Sequence, residues 1–297
     1  MNLEQLKKPV QKFQNSSGVD SLLLCDKFAV WILILFGLVL LFGGLNNTVY
    51  FNQALYHFLF AALIWWLASR KPYNIIFEAV RFHYPVILIA IIHYDVGYFI
   101  PMIYGDNTTF DSVVRQWELA LFSTHPHLHL HEMITQSFWV EVIHFFYLTY
   151  YPILIGSLTW IWLKRTDDFP RFAFVYIGMF FSFVIFFILF PVIGPLDYRV
   201  GLFEDKSVLA NVVDLLFLIG APDGAAFPSS HVGLSVGVLM LLRPMSRTVT
   251  VVLSICILGI GFSMIYASIH YAIDAFAGLI AGFLLFHTWN FVYRKIE

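Results

Sequence analysis

The sequence predicts an all-α integral membrane protein with about eight transmembrane helices, two N-terminal helices being followed by a six-helix core. Three observations support this fold class. Hydrophobic residues make up 60% of the 297 residues and charged residues 12%, whereas roughly 25% of the residues of a soluble domain are charged. Several apolar runs are close to the length of about 20 residues that a helix needs to cross a bilayer. The cationic residues are concentrated in alternate loops, as a fixed membrane topology requires.

The bounds of the helices follow from the apolar runs and from the breakers between them. The sixth helix is short for a membrane span, but Ser229 and Ser230 mark its start and Arg243-Pro244 marks its end. We expect this helix to be tilted or only partly inserted. The first 27 residues lack the apolar segment of a signal peptide and are predicted to be a cytoplasmic segment. The predicted helices span residues 28–45, 52–69, 84–104, 138–163, 172–193, 229–242, 248–267 and 271–292.

The distribution of Lys and Arg predicts the topology. Fourteen of the 17 cations fall on one side of the predicted helices, and cationic loops stay on the cytoplasmic side. Both termini are therefore predicted to be cytoplasmic, with the loops 105–137 and 194–228 on the outer side. The three outer cations are Arg115, Arg199 and Lys206. This layout suits the inner membrane of a bacterium.

A first cluster of polar residues lies where the second outer loop becomes the sixth helix. Pro228-Ser229-Ser230-His231 places two hydroxyl groups and an imidazole at a helix start. The unpaired N–H groups and the dipole of a helix start favour an anion, and the serines can donate further hydrogen bonds. The segment thus predicts a phosphate site, the alternative being a Ser N-cap with an incidental histidine.

A second cluster lies near the C-terminal end of the chain, where Ser263 is followed by His270 and Asp274. The i, i+4 spacing is predicted to place His270 and Asp274 on one face of a helix. A carboxylate in that position fixes the tautomer of the imidazole and leaves its other nitrogen available as a nucleophile. The alternative is a structural His–Asp pair. Under the cation count, His231 and His270 both lie at the outer ends of their helices.

These two motifs resemble those of the type 2 phosphatidic acid phosphatase superfamily. The segments Phe190–Pro195 and Trp117–Phe122 further resemble the branch of that superfamily that contains the inositol phosphorylceramide synthases. The resemblance implies a six-helix catalytic core within residues 84–292. It also implies that His270 attacks phosphorus, His231 protonates the leaving oxygen and Asp274 holds His270, with no metal and no cofactor.

The chain departs from the superfamily pattern in its cations. Met264 replaces the arginine expected after Ser263, and the earlier Lys and Arg-Pro motif is absent. We therefore expect other residues to bind the phosphate. Arg199 ranks first because a guanidinium can hold two phosphate oxygens at once. The predicted phosphate-binding residues are Ser229, Ser230, Arg199, Lys206 and Tyr198, and a headgroup pocket is predicted from Asp95, Arg115, Glu118 and Tyr271.

Two other patterns are interpreted as structural. His125, His127, His129 and His131 alternate in the first outer loop and would share a face only in an extended strand, so a solvated or interfacial loop is favoured over a metal site. The pairs Gly233/Gly237 and Gly278/Gly282 provide small-residue faces for close helix packing.

The sequence therefore predicts an enzyme with a membrane lipid as its substrate and no nucleic-acid partner. Resolution of a phosphohistidine by water would make it a lipid phosphatase, and resolution by a lipid hydroxyl would make it a headgroup transferase. A proton-coupled lipid transporter that uses His231, His270 and Asp274 as a relay is an alternative of another class.

Overall fold

A computed structural model describes residues 22–71, 74–105, 108–203, 207–220 and 222–297. No strand lies within these ranges, and one isolated parallel bridge joins Val192 and Ala225. The α-helices of the described ranges are α1 Leu24–Gly43, α2 Thr48–Ser69, α3 Ile75–Tyr94, α4 Val96–Tyr104, α5 Asp111–Phe122, α6 Pro126–Met133, α7 Ser137–Leu148, α8 Tyr150–Lys164, α9 Phe169–Leu189, α10 Val208–Gly220, α11 Ser230–Leu241, α12 Arg247–Tyr266 and α13 Ala272–Ile296.

Seven helical segments of the described chain are long and apolar enough to cross a membrane. Two of these segments combine neighbouring helices, since α3 and α4 form Ile75–Tyr104 and α7 and α8 form Ser137–Lys164. Helix α11 is apolar but shorter, as the sequence predicted for the sixth helix. The predicted all-α membrane fold is confirmed, with seven full-length candidate spans where about eight were expected.

The structure also adds helices that the apolar runs did not reveal. Helices α5, α6 and α10 lie within the two segments predicted to be outer loops. Helix α5 shows why such helices were missed, because only one of its faces is buried. Val114 and Glu118, four residues apart, are buried, while Arg115 and Trp117 are exposed. Such a helix is held by its packing on the rest of the fold and needs no long apolar run.

The described chain forms two compact units. The first contains the described residues up to Ala90 together with Ile155–Gly178 and Trp289–Glu297. Within it, α1 and α2 form a hairpin through the turn Gly44–Asn46. A buried polar cluster lies at the start of α1, where the Asp26 carboxylate accepts hydrogen bonds from the Leu23 N–H, the Tyr84 hydroxyl and the Arg81 guanidinium.

The second unit contains Ile91–Leu154 and Met179–Thr288, and it includes both polar motifs. Glycines let α11 and α13 approach closely, because a Cβ at Gly282 would overlap the backbone of Gly233 and a Cβ at Gly278 would overlap the Ser229 carbonyl. The predicted close helix packing is thus confirmed for these glycines, whereas Gly237 packs on the side chain of Met179.

A short backbone pairing brings two loops of the second unit together. The Val192 N–H donates to the Gly224 carbonyl at 3.1 Å, and the Ala226 N–H donates to the Val192 carbonyl at 2.8 Å. This pairing anchors the segment that leads into Pro228 and the start of α11. It places the first polar motif on a fixed backbone.

Candidate active site

His270 and Asp274 form a buried pair at the start of α13. His270 Nδ1 and Asp274 Oδ2 are 3.2 Å apart, and the same carboxylate oxygen accepts the Tyr271 N–H at 2.9 Å. Asp274 is fully buried and His270 is 3% exposed. With its Nδ1 proton directed at the carboxylate, His270 keeps the lone pair of Nε2 available for a nucleophilic attack.

The predicted pair therefore forms, although the two residues do not share a helix face as expected. Helix α13 begins at Ala272, so His270 lies in the preceding turn, where its N–H donates to the Met264 carbonyl. Asp274 reaches back over the first turn of the helix, as an N-terminal carboxylate commonly does. The i, i+4 spacing thus brings the side chains together through a capping geometry.

His231 faces this pair from the first turn of α11. The ring centroids of His231 and His270 are 6.1 Å apart in an edge-to-face arrangement, which allows both imidazoles to reach one phosphoryl group. Tyr150 packs against His231 at 4.3 Å and Tyr147 packs against it at 5.7 Å. The Ser229 N–H donates to the Asp274 carbonyl at 3.0 Å and so connects the two motifs.

The serines of the first motif occupy the helix start as predicted. Ser229 is the N-cap residue of α11, and both Ser229 and Ser230 are buried. The Ser229 hydroxyl lies 3.7 Å from the sulfur of Met264, the residue that replaces the expected arginine. An apolar thioether therefore lies beside the proposed phosphate site, which offers no positive charge at that position.

Arg199 lies in the same unit and is held by protein groups. Its guanidinium donates to Asp214 at 2.6 Å, to the Ala267 carbonyl at 2.8 Å and to the Ala210 carbonyl at 3.3 Å. The contact with Ala267 reaches the turn that carries His270. Arg115 is exposed on α5, and Lys206 lies outside the described residues.

Several interactions that the sequence did not predict support the turn that contains His270. The turn, Ala267–Tyr271, is held from three sides. His131 Nε2 and the Ser268 hydroxyl are 2.9 Å apart, and Gly194, at φ +88°, lies so close to the Ile269 carbonyl that a Cβ would overlap it. The Tyr271 hydroxyl donates to Asp111 at 3.3 Å. These contacts fix the backbone that carries His270.

Two carboxylates accept hydrogen bonds from backbone N–H groups in this region. The half-buried Asp111 was missed by sequence reasoning, and the buried Glu118 was assigned a different role. Asp111 accepts the N–H groups of Ile193 and Gly194 at 3.0 and 2.9 Å. Glu118, predicted for a headgroup pocket, accepts the Ala272 N–H at 2.7 Å at the first residue of α13 and pairs with His125 at 2.7 Å. A helix start is stabilised by such an acceptor. No local sequence signal links Glu118 to a residue 154 positions away.

Two further predicted headgroup residues, Asp95 and Tyr271, are buried in the same unit. Asp95 is fully buried between α3 and α4, and Tyr271 is 2% exposed. Burial and the nearby Asp111 carboxylate raise the pKa of the Tyr271 hydroxyl, so Tyr271 remains a neutral hydrogen-bond donor. The predicted phosphate ligand Tyr198 is about half exposed on the loop before Arg199.

The interpretation of the histidine-rich segment as a solvated or interfacial loop was wrong. Pro126 at the first position begins helix α6, as proline favours. In a helix, residues two apart point in different directions, so His127 is buried at 1% exposure while His129 is exposed. Within the described ranges, no group of three or more His, Cys, Asp or Glu side chains is suited to hold a metal ion.

A comparison with known protein families identifies the superfamily of this chain. A model of the PAP2 superfamily matches residues 112–288. The chain belongs to the PAP2 superfamily. The match covers His231, His270, Asp274 and the supporting residues Glu118 and Arg199, and it confirms the superfamily that the motifs resemble. PAP2 is the short name of the type 2 phosphatidic acid phosphatase superfamily, and membership makes the chain a phosphatase-type enzyme. Its apolar helices make it a multi-pass membrane protein. No curated protein and no solved structure matches the chain.

Proposed function

We propose that the chain is a membrane lipid phosphatase or phosphotransferase that works through a phosphohistidine on His270. The observation that carries this proposal is the arrangement of the half-buried His231 beside the buried pair of His270 and Asp274, with the centroids of the two imidazoles 6.1 Å apart and the carboxylate against one of them. This arrangement provides a nucleophile, an orienting carboxylate and a proton donor, which phosphoryl transfer through a covalent intermediate requires.

The proposed reaction has two steps. His270 Nε2 attacks phosphorus, the bond between phosphorus and the leaving alcohol oxygen breaks, and protonated His231 gives its proton to that oxygen. In the second step, the hydroxyl of water or of a lipid attacks phosphorus and gives its proton to His231, while the bond between phosphorus and Nε2 breaks. Both histidines return to their starting states, and the scheme needs no metal or cofactor.

The negative charge of the phosphate is proposed to be stabilised by the N-terminus of α11 together with nearby hydrogen-bond donors. The backbone N–H groups of a helix start and the hydroxyls of Ser229 and Ser230 suit an anion. Arg199 can contribute by exchanging one of its carbonyl acceptors for a phosphate oxygen. Tyr198, Arg115 and Lys206 remain the further candidates from the sequence.

The substrate is proposed to be a lipid whose phosphate enters from the outer face of the membrane. The cation distribution supports this orientation, with both termini on the cytoplasmic side. The headgroup then meets His231 and His270 while the acyl chains remain in the hydrocarbon region. The localisation as a bacterial inner membrane protein belongs to the same proposal.

Transfer to a lipid hydroxyl is the second candidate outcome. His270 is almost fully buried, and aromatic rings enclose His231, so the site favours an acceptor selected by fit over bulk water. The segments Phe190–Pro195 and Trp117–Phe122, which resemble the inositol phosphorylceramide synthase branch, also pack together, since Trp117 stacks on Phe190 at 5.7 Å. Both observations support transfer.

The proposal is tested by product analysis with purified protein in EDTA. Phosphatidic acid, polyprenyl phosphate and phosphatidylinositol are offered with and without ceramide or diacylglycerol, and both free phosphate and new phospholipids are measured. The variant is His270→Ala, and the matched control is His287→Ala, an exposed histidine on the same helix.

Free phosphate that is lost in His270→Ala and retained in His287→Ala establishes a phosphatase. A new phospholipid with the same dependence and without free phosphate establishes a transferase. Turnover that survives in His270→Ala contradicts the proposal, and transport of lipid without any phosphoryl product supports the transporter alternative.

A further inference from the structure

His127 is a buried polar group that the proposed reaction does not use. Its side chain is 1% exposed on α6, and neither ring nitrogen has a hydrogen-bond partner among the described residues. The nearest carboxylate oxygen, Glu118 Oε2, is 3.9 Å from Nδ1, which is beyond hydrogen-bonding distance. That oxygen is already paired with His125 at 2.7 Å. Burial of an imidazole without partners is unfavourable, because the hydrogen bonds that it made to water are not replaced.

The protonation state of His127 defines what it can bind. Burial, together with the neighbouring His125 and His131, lowers the pKa of His127 to about 4. The ring is therefore neutral at physiological pH and carries one N–H donor and one nitrogen acceptor. A hydroxyl group can bind at either nitrogen, since it can accept from the N–H or donate to the bare nitrogen, whereas an ionised phosphate oxygen can bind only at the N–H.

The position of His127 connects it to the catalytic turn. Its ring packs edge-to-face on Tyr271 at 5.9 Å, and Tyr271 follows His270 directly in the chain. Glu118, beside His127, binds the N–H of Ala272. The unpartnered imidazole thus lies against the residue next to the nucleophile.

One of the side chains that cover His127 is itself partly exposed. The ring of Tyr198 packs on His127 at 5.4 Å and is itself about half exposed. Rotation of an exposed tyrosine between its rotamers is fast and needs no backbone movement. A ligand that displaces the Tyr198 ring reaches the imidazole directly.

We propose that His127 recognises a hydroxyl group of the substrates, with the hydroxyl either accepting from the N–H or donating to the bare nitrogen of the imidazole. This inference rests on the proposed function, since it describes the specificity of the same site. The hydroxyl can come from a polyol headgroup on the phosphate or from the acceptor alcohol. Both sources present the same chemistry to the ring.

Binding measurements separate this proposal from the reaction itself. Thermal unfolding in detergent gives the affinities of the protein for inositol 1-phosphate and for inorganic phosphate. The variant His127→Phe keeps a ring and removes both nitrogens, while His127→Gln keeps one donor and one acceptor. His129→Phe makes the same change at an exposed position of α6.

We expect His127→Phe to weaken binding of inositol 1-phosphate about tenfold, which corresponds to one lost hydrogen-bonding group. The affinity of His127→Phe for inorganic phosphate should change by less than about twofold, since the groups that bind phosphate are untouched. His127→Gln should recover most of the loss, and His129→Phe should behave as the wild type. Binding to His270→Ala should be retained, so a failure of the catalytic scheme does not affect this result.

A second experiment tests whether the hydroxyl that His127 binds belongs to the acceptor alcohol. It measures the KM for ceramide or diacylglycerol during turnover. A rise in this KM in His127→Phe, with unchanged headgroup binding, assigns the hydroxyl to the acceptor. The proposal is overturned if His127→Phe affects inositol 1-phosphate and inorganic phosphate equally and leaves the KM for the acceptor unchanged, which indicates a packing role. It is also overturned if no variant changes any of these values.

Discussion

Asp26 in the first unit and Asp274 in the second are both fully buried carboxylates, but their oxygens are used differently. Both oxygens of Asp26 have partners, namely the Leu23 N–H, the Arg81 guanidinium and the Tyr84 hydroxyl. In Asp274, Oδ2 binds His270 and the Tyr271 N–H, and Oδ1 has no hydrogen-bond partner among the described residues.

This difference separates a structural ion pair from a reactive one. The Asp26 cluster neutralises its charge and satisfies its carboxylate, which is what a buried ion pair needs to be tolerated. The Asp274 cluster ends at His270, whose Nε2 makes no hydrogen bond within the described residues, so in the proposed reaction the cluster orients a nucleophile. We expect substitutions in the first cluster to lower stability and substitutions in the second to lower the reaction rate.

The largest effect is expected for Asp274→Asn. An amide in place of the carboxylate no longer accepts the Nδ1 proton of His270 as a charged acceptor, so the reactive tautomer is lost. By analogy with other carboxylate–histidine pairs, kcat should fall about 10⁴-fold, with KM little changed. Steady-state kinetics on the lipid substrate measure this effect, and an activity within tenfold of the wild type would assign Asp274 a structural role.

His231→Gln should lower kcat/KM, which reports the formation of the phosphohistidine, about 10²- to 10³-fold because the leaving alcohol loses its proton donor. The loss should depend on the leaving group. It should be large for a lipid phosphate, which releases a basic alkoxide, and small for p-nitrophenyl phosphate, which releases a weakly basic phenolate. Parallel kinetics on the two substrates check this prediction, and an equal loss on both would remove His231 from the role of general acid.

Asp26→Asn should act on stability and leave the chemistry intact. It leaves Arg81 as a buried cation without its counter-charge, which costs about 3–5 kcal/mol. We expect a lower midpoint of thermal unfolding in detergent and an unchanged kcat for the folded fraction. A loss of kcat at unchanged stability would contradict the structural assignment of this cluster.

The smallest effects are expected for two matched tyrosine substitutions. Tyr84→Phe and Tyr271→Phe each remove one hydroxyl that donates to an aspartate, at 2.8 Å to Asp26 and at 3.3 Å to Asp111. Each loss should cost about 0.5–1.5 kcal/mol of stability, with the larger value for Tyr84 because its bond is shorter. Unfolding midpoints of the two variants measure the difference, and the reverse order would undermine the comparison of the two networks.

The sequence predicted the parts of this fold that depend on local composition. Apolar runs identify membrane helices, and the spacing of His270 and Asp274 within one turn predicts their contact. The short helix α11 was also recognisable, because Ser229, Ser230 and Arg243-Pro244 bound it. These features depend on neighbours in the chain.

The rest depends on contacts between distant residues, which a single sequence does not reveal. Glu118 binds Ala272 and Asp111 binds Gly194, and no spacing rule connects either pair. The segment of His127 was interpreted as a loop because the alternation of its histidines does not follow the period of a helix. In the structure, Pro126 starts a helix and tertiary packing buries one of its faces. The support of the catalytic turn thus became visible only in three dimensions.

Trapping of the covalent intermediate tests the central claim most directly. Protein mixed with ³²P-labelled lipid phosphate is quenched in alkali after a few milliseconds and digested, and the labelled peptide is identified by mass spectrometry. We predict an acid-labile, alkali-stable phosphate on the peptide that contains His270, present in the wild type and in His287→Ala and absent in His270→Ala. Product formation without label on this peptide, or label that persists in His270→Ala, would contradict the account.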